Sequence, residues 1–233
     1  MKKLLIKFSV LCLAIAMVSC SKDDSSSNNT FTPKIASIDV SKIVPAAMQT
    51  EKPEVYSMIS EMSGYMAMPA AFMQNPNGKT GTTSGTWTEG EYTIVYSYGD
   101  DGVQYNFNYV GTNAQGQEIF NISGWELMNG TAGSWEYNIN TSAIGNDPSL
   151  GNFNVTFNWN TNDQGGYHFD MLFDMGDLGY HYVMNTFGDY SGNIAISSGS
   201  PLEQTDYIEW TATGGTWTDF TTDPDTVTPW TYN

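Results

Sequence analysis

Two periodicities divide the chain. From residue 92 onward apolar and polar positions follow a period of two. Tyr92, Ile94, Tyr96 and Tyr98 interleave with Thr93, Val95 and Ser97, and Asp100-Asp101-Gly102 marks a turn. Tyr105, Phe107 and Tyr109 then interleave with Asn106 and Asn108, which predicts a β-hairpin with one apolar face. The pattern recurs at Phe120 and Ile122; Trp135, Tyr137 and Ile139; Phe153, Val155, Phe157 and Trp159; and Tyr167, Phe169, Met171 and Phe173. It continues through Tyr180, Tyr182 and Met184, Ile194 with Ile196, and Ile208 with Trp210, with Trp217 and Phe220 as an addition. Asn-Gly, Asp-Gly and Gly-Gly pairs separate the segments, so the spacing predicts about nine or ten short strands in an antiparallel meander.

Residues 41–73 read differently. Val55, Ile59, Met62 and Met66, with Met73 beyond, recur at helical spacing, and Met58 sits one position off the stripe. Pro53 suits a first helical turn with Thr50 as a cap before it, Gly64 weakens the helix, and Pro69 kinks or ends it. A turn-rich linker, residues 75–85, follows. A sheet with one apolar face must cover that face, since each inward aromatic is worth roughly 1.5–3 kcal/mol. The predicted fold is therefore mainly β: a meander curved into a barrel or half-barrel, with the Met-rich helix on its apolar face. A two-layer sandwich is the other solution. Flexible methionines either pack a core or line an adaptable pocket. In the second case Met58, Met62, Met66, Tyr96, Phe107, Phe157, Trp159 and Phe169 are the candidate ligand-binding residues. A helix leading into a meander is similar in plan to periplasmic lipoprotein carriers of the LolA/LolB type, and to lipocalins, without their motifs.

The N-terminus carries a different pattern. Lys2, Lys3 and Lys7 precede or interrupt a short apolar run that ends at Val18-Ser19-Cys20, the layout of a secretory signal in residues 1–19. Met17-Val18-Ser19-Cys20 resembles the lipobox of bacterial lipoproteins, which implies lipidation of Cys20. Two or more acyl chains carry roughly thirty methylenes, so the implied gross anchoring is about 24 kcal/mol. Residues 20–33 form a Ser/Asn-rich tether, and Ser21-Lys22-Asp23-Asp24 resembles the surface-export signal of Bacteroidota-type lipoproteins. The resemblance implies an outer-membrane lipoprotein displayed at the cell surface, or on the periplasmic face. One domain, residues 34–222, and a C-terminal tail, residues 223–233, complete the expected organisation.

Charge narrows the partners. The net charge is −17 with no arginine, and beyond Lys79 the only groups able to become cationic are His168 and His181. Such a body cannot neutralise phosphates, which argues against nucleic acid and phosphorylated ligands. With Cys12 in the signal and Cys20 lipidated, no thiol remains for catalysis or metal binding. The sequence suggests no cofactor, no metal site and no catalytic residue.

The remaining chemistry is sparse. His168, Asp170 and Asp174 share one parity, and pairing Phe173 with Tyr182 and Met171 with Met184 would set Asp174 against His181. That pair is half a catalytic dyad, part of a metal site or a surface ion pair. Glu126, Glu136 and Glu209 flank Trp125, Trp135 and Trp210, and alternation would turn each Glu outward beside an inward Trp. The Asp-rich turns at 100–101 and 223–225 match no complete calcium loop. Four functions stay open: a non-enzymatic carrier of a hydrophobic small ligand, a surface glycan-binding lipoprotein using Trp87, Trp125 or Trp217 as stacking platforms, enzymatic hydrolysis by the scattered acids, glycoside hydrolysis by paired carboxylates among them, and a structural envelope component with a filled core.

Overall fold

The computed structural model describes residues 38–66, 84–89, 92–100, 103–144, 152–176 and 178–232. Cys20, the tether, Pro69, Met73, most of the 75–85 linker and the tip of the 100–102 turn lie outside these residues, as do the side chains of Trp87 and Tyr96. Twelve strands form one antiparallel sheet in which each strand bonds to its sequence neighbours. They are β1 Ser84–Glu89, β2 Tyr92–Asp100, β3 Gln104–Thr112, β4 Glu118–Leu127, β5 Ala132–Asn140 and β6 Asn152–Thr161. The second half continues with β7 Tyr167–Asp174, β8 Gly179–Thr186, β9 Gly192–Gly199, β10 Glu203–Thr211, β11 Gly214–Asp219 and β12 Thr226–Thr231. The first and last strands do not close on each other, so the sheet is a half-barrel.

Alternation decides the faces. One row across the inner side runs Phe107, Gly124, Trp135, Phe157, Met171, Tyr182 and Ile196. The meander exceeds the predicted number of strands at both ends. β12 lies in the stretch expected as a tail, residues 223–233. Its Thr-Val-Thr-Pro run has no apolar period to betray a strand. It forms because β11 offers an open hydrogen-bonding edge, and an edge strand tolerates Pro229.

A second device shapes the inner face. Five inward glycines each stand directly opposite an aromatic on the next strand: Gly111 with Phe120, Gly124 with Phe107, Gly133 with Trp159, Gly192 with Trp210 and Gly215 with Trp230. A Cβ at any of them would meet that ring at 2.3–2.7 Å. Large rings can therefore lie across the strands on the concave side, where side chains are crowded most.

The helical segment covers this face. A 3₁₀ turn, Val40–Lys42, leads to α1, Met48–Glu51, and α2, Pro53–Tyr65. Lys52 separates the two at φ −139° and ψ 58°, because the residue before a proline is pushed out of the helical region. Thr50 is thus not the cap of α2: it lies inside α1, its hydroxyl donates to the Ala47 carbonyl at 3.2 Å, and Lys52 takes the cap position. Val55, Ile59, Met62 and Met66 are each at most 2% exposed, so the predicted stripe is the buried face. A third helix, α3, Thr141–Ile144, follows β5.

Two polar contacts pin the helix at its ends. The Trp135 indole N–H donates to the Tyr65 carbonyl at 3.1 Å, satisfying an acceptor left open at the end of α2. The same indole stacks on Phe157 at 5.3 Å, and the Tyr65 ring meets Phe173 edge-on at 6.0 Å. At the other end Lys52 Nζ lies 5.0 Å from the Trp230 ring centroid, joining the start of α2 to β12. Trp135→Phe keeps an aromatic ring but removes the donor and part of the buried indole, and should destabilise the fold by about 1–3 kcal/mol in urea unfolding. An unchanged unfolding midpoint would show that the bond does not hold the helix.

Candidate functional site

The concave interior is the first place to look. Met62, Met66, Phe107, Phe157, Trp159 and Phe169 all belong to the buried cluster, each at most 5% exposed, and Met58 packs against it. The structure thus brings together the described members of the predicted apolar group, in contact with Val55 and Ile59 of α2. Among the described residues these side chains pack against one another on the concave face.

A polar shoulder borders that core. A bulge in β10 places Asp206 opposite Ile196, and its carboxylate accepts the Trp217 indole N–H at 2.8 Å. Trp217 is therefore turned inward and half-buried, not an exposed platform. Burial first, and then the neighbouring Tyr180, Glu61 and Asp206 side chains, pushes the Tyr182 phenol far above its ordinary range. Tyr182 stays protonated and neutral at any physiological pH. Glu61 lies on the outer shoulder of α2, exposed by surface area yet crowded enough that desolvation raises its carboxyl, with a weak 3.5 Å bond from Ser57 opposing.

The outer face carries most of the remaining polar side chains. The register of β7 and β8 is two residues tighter than the apolar pattern suggested: Phe173 pairs with Tyr180, Met171 with Tyr182 and Asp174 with Gly179. A short turn containing Gly176 at φ 77° allows the strands to pair this close to the loop. Asp174 instead accepts the Gly176 amide at 2.9 Å, so the expected Asp174–His181 pair does not form. His181 Nε2 contacts Asp170 Oδ1 at 2.9 Å across the diagonal. His168 Nδ1 contacts Asn185 Oδ1 at 2.8 Å, and Asn185 in turn donates to Asn193 at 3.0 Å. Among the described residues no group of three His, Cys, Asp or Glu side chains converges.

One of the three Trp–Glu neighbourhoods is inverted. Glu136 and Glu209 face outward beside the buried Trp135 and Trp210, as alternation predicts. In β4 Phe120 and Ile122 face inward, so the same parity turns Glu126 inward, where it is 5% exposed. Trp125 is then outward and 37% exposed, between Asn106 and Ser134. The tryptophan was assumed to follow hydrophobicity, but the strand's own parity prevails.

Where β4 begins and the β5–β6 pair meets the end of β7, a cleft of about 470 Å³ opens. Glu118, Asn138, Asn140, Asn152, Asn154 and Asp174 line it, with Ile139 and Phe153 at its sides. Glu136 organises the approach: its Oε1 accepts from Asn154 Nδ2 at 2.7 Å and Asn138 Nδ2 at 3.2 Å, and Asn154 also bonds Asn138. Further along, the Ser134 hydroxyl donates to Asn158 at 2.7 Å. Cleft, Glu136, Ser134–Asn158 and Trp125 form one continuous outward track. Asn138, Asn140 and Asn152 share the polar parity of Asn154 and Asn158, and that parity was the only signal of them in the sequence.

Comparison of the chain with family models, with curated proteins and with solved structures finds no match.

Because the Glu61 carboxyl is raised, the folded state holds its proton more tightly than the unfolded chain does. Its contribution is fully present below its ordinary 4.5 and lost as pH rises through the folded value. Glu61→Gln should therefore gain stability relative to the parent as pH climbs from 4.5 towards neutrality, read by thermal unfolding at matched pH. A difference that is flat or reversed over that range would refute the assignment.

Proposed function

We propose that the chain is a lipid-anchored, extracytoplasmic, non-enzymatic binding domain, and that its outward sheet face meets a glycan. The observation that carries this reading is the asparagine-lined cleft and its continuity with the exposed ring of Trp125. Amide groups both donate and accept, which matches sugar hydroxyls, and an exposed indole offers an apolar surface for a sugar ring's C–H face. Ligand sites combine such a ring with a few fixed polar groups. Glu136 holds Asn138 and Asn154 in place before any ligand arrives, which lowers the ordering cost of binding.

The anchor at Cys20 belongs to the same proposal and rests on the lipobox and tether. It suits display at the outer membrane, where the acidic body, repelled by anionic lipid, would stand away from the surface on its leash. A carrier for a hydrophobic ligand would require α2 to leave the sheet and expose the rings that Met62 and Met66 now cover. The packing speaks for the outer face instead.

A glycan array probed with the purified protein should give hits that Trp125→Ala and Asn154→Ala each weaken by about tenfold. Unfolding free energies should stay within about 0.5 kcal/mol of the parent, because both side chains are on the surface face. An array without hits, or hits indifferent to both substitutions, would overturn the proposal.

A further inference from the structure

We infer that the outer track selects an extended oligosaccharide bearing free amines, an inference that rests on the glycan reading above. Its first basis is sign. The track and its borders carry Glu118 and Asp174 in the cleft, Glu136 beside it, and Asp170 next to Asn158 on the neighbouring strand. No lysine or arginine occurs after Lys79, and of the two histidines on this face His181 is engaged with Asp170. An anionic sugar would meet like charge and no lysine or arginine, whereas an ammonium group would find carboxylates along the path.

The second basis is spacing. Asn140 and Ser134 lie on the same face of β5, six residues and so about 20 Å apart. Asp174 and Asp170 stand four residues apart on β7, or about 13 Å. One monosaccharide cannot reach both ends, but a linear oligosaccharide lying along β5 and β6 can. Each exposed carboxylate is weak alone, and a repeating amine would engage several at once. A basic peptide shares the charge but fits less well. Extended peptides gain their affinity by pairing with a sheet edge, and this track runs over the middle of the sheet, where β4 to β7 are paired on both sides.

The test is titration calorimetry of the purified full-length protein with five probes: a β-1,4-linked glucosamine tetramer, its N-acetylated counterpart, glucosamine itself, a galacturonate tetramer and a tetralysine peptide. The glucosamine tetramer should bind tightest, at least tenfold above glucosamine itself, and should weaken as salt is raised. The double variant Glu136→Gln with Asp174→Asn should lose roughly fivefold for the amine tetramer and little for the acetylated one. Equal or tighter binding of galacturonate or of tetralysine overturns the inference. If the acetylated tetramer binds as well as the amine form, the glycan reading stands and the amine selectivity falls. If no saccharide binds, both fall together.

Discussion

Burial of one face of a single open sheet is the constraint from which the remainder of the structure follows. Strands β2 to β11 each send side chains from one face into or against the buried cluster, and a half-barrel has no second sheet to cover them. Among the described residues the covering comes from the segment before β1. Val55, Ile59, Met62 and Met66 supply its stripe, and unbranched methionine adapts to the uneven floor left by rings lying over glycines. The Trp135–Tyr65 bond and the Lys52–Trp230 contact then fix the helix at both ends.

The proposed glycan site lies outward for the same reason. Once the concavity is packed, the surface left for a partner is the polar side of the strands, where alternation has already placed asparagines, threonines and acids in rows. Side-chain bonds between neighbouring rows, as from Asn138 and Asn154 to Glu136, turn that surface into a preset array. The charge of −17 without arginine fits the proposed preference for neutral or cationic partners over phosphate-bearing ones.

Much of this was legible in residue order. The period-two alternation located the strands from β2 to β11, and the spacing of Val55, Ile59, Met62 and Met66 located the helix and its buried side. Three features were hidden, each for a physical reason. β12 has no apolar period, because an edge strand needs only hydrogen-bonding partners on one side. The β7–β8 register depended on how tightly the loop closes, which composition does not state, and so His181 found Asp170 instead of Asp174. Glu126 and Trp125 exchanged faces because parity along β4 outweighed the side chains' own preferences. The cleft asparagines were visible only as polar positions; their convergence arises from strands brought side by side by the meander.

The account depends on α2 being a permanent part of the core and not a cover that opens. Hydrogen–deuterium exchange followed residue by residue tests this directly. The amides of residues 55–66 should exchange as slowly as those of the central strands β5 to β8, opening only when the whole domain unfolds. Rapid exchange in the helix while the strands remain protected would contradict it, and would return the apolar face to consideration as the place where a ligand enters.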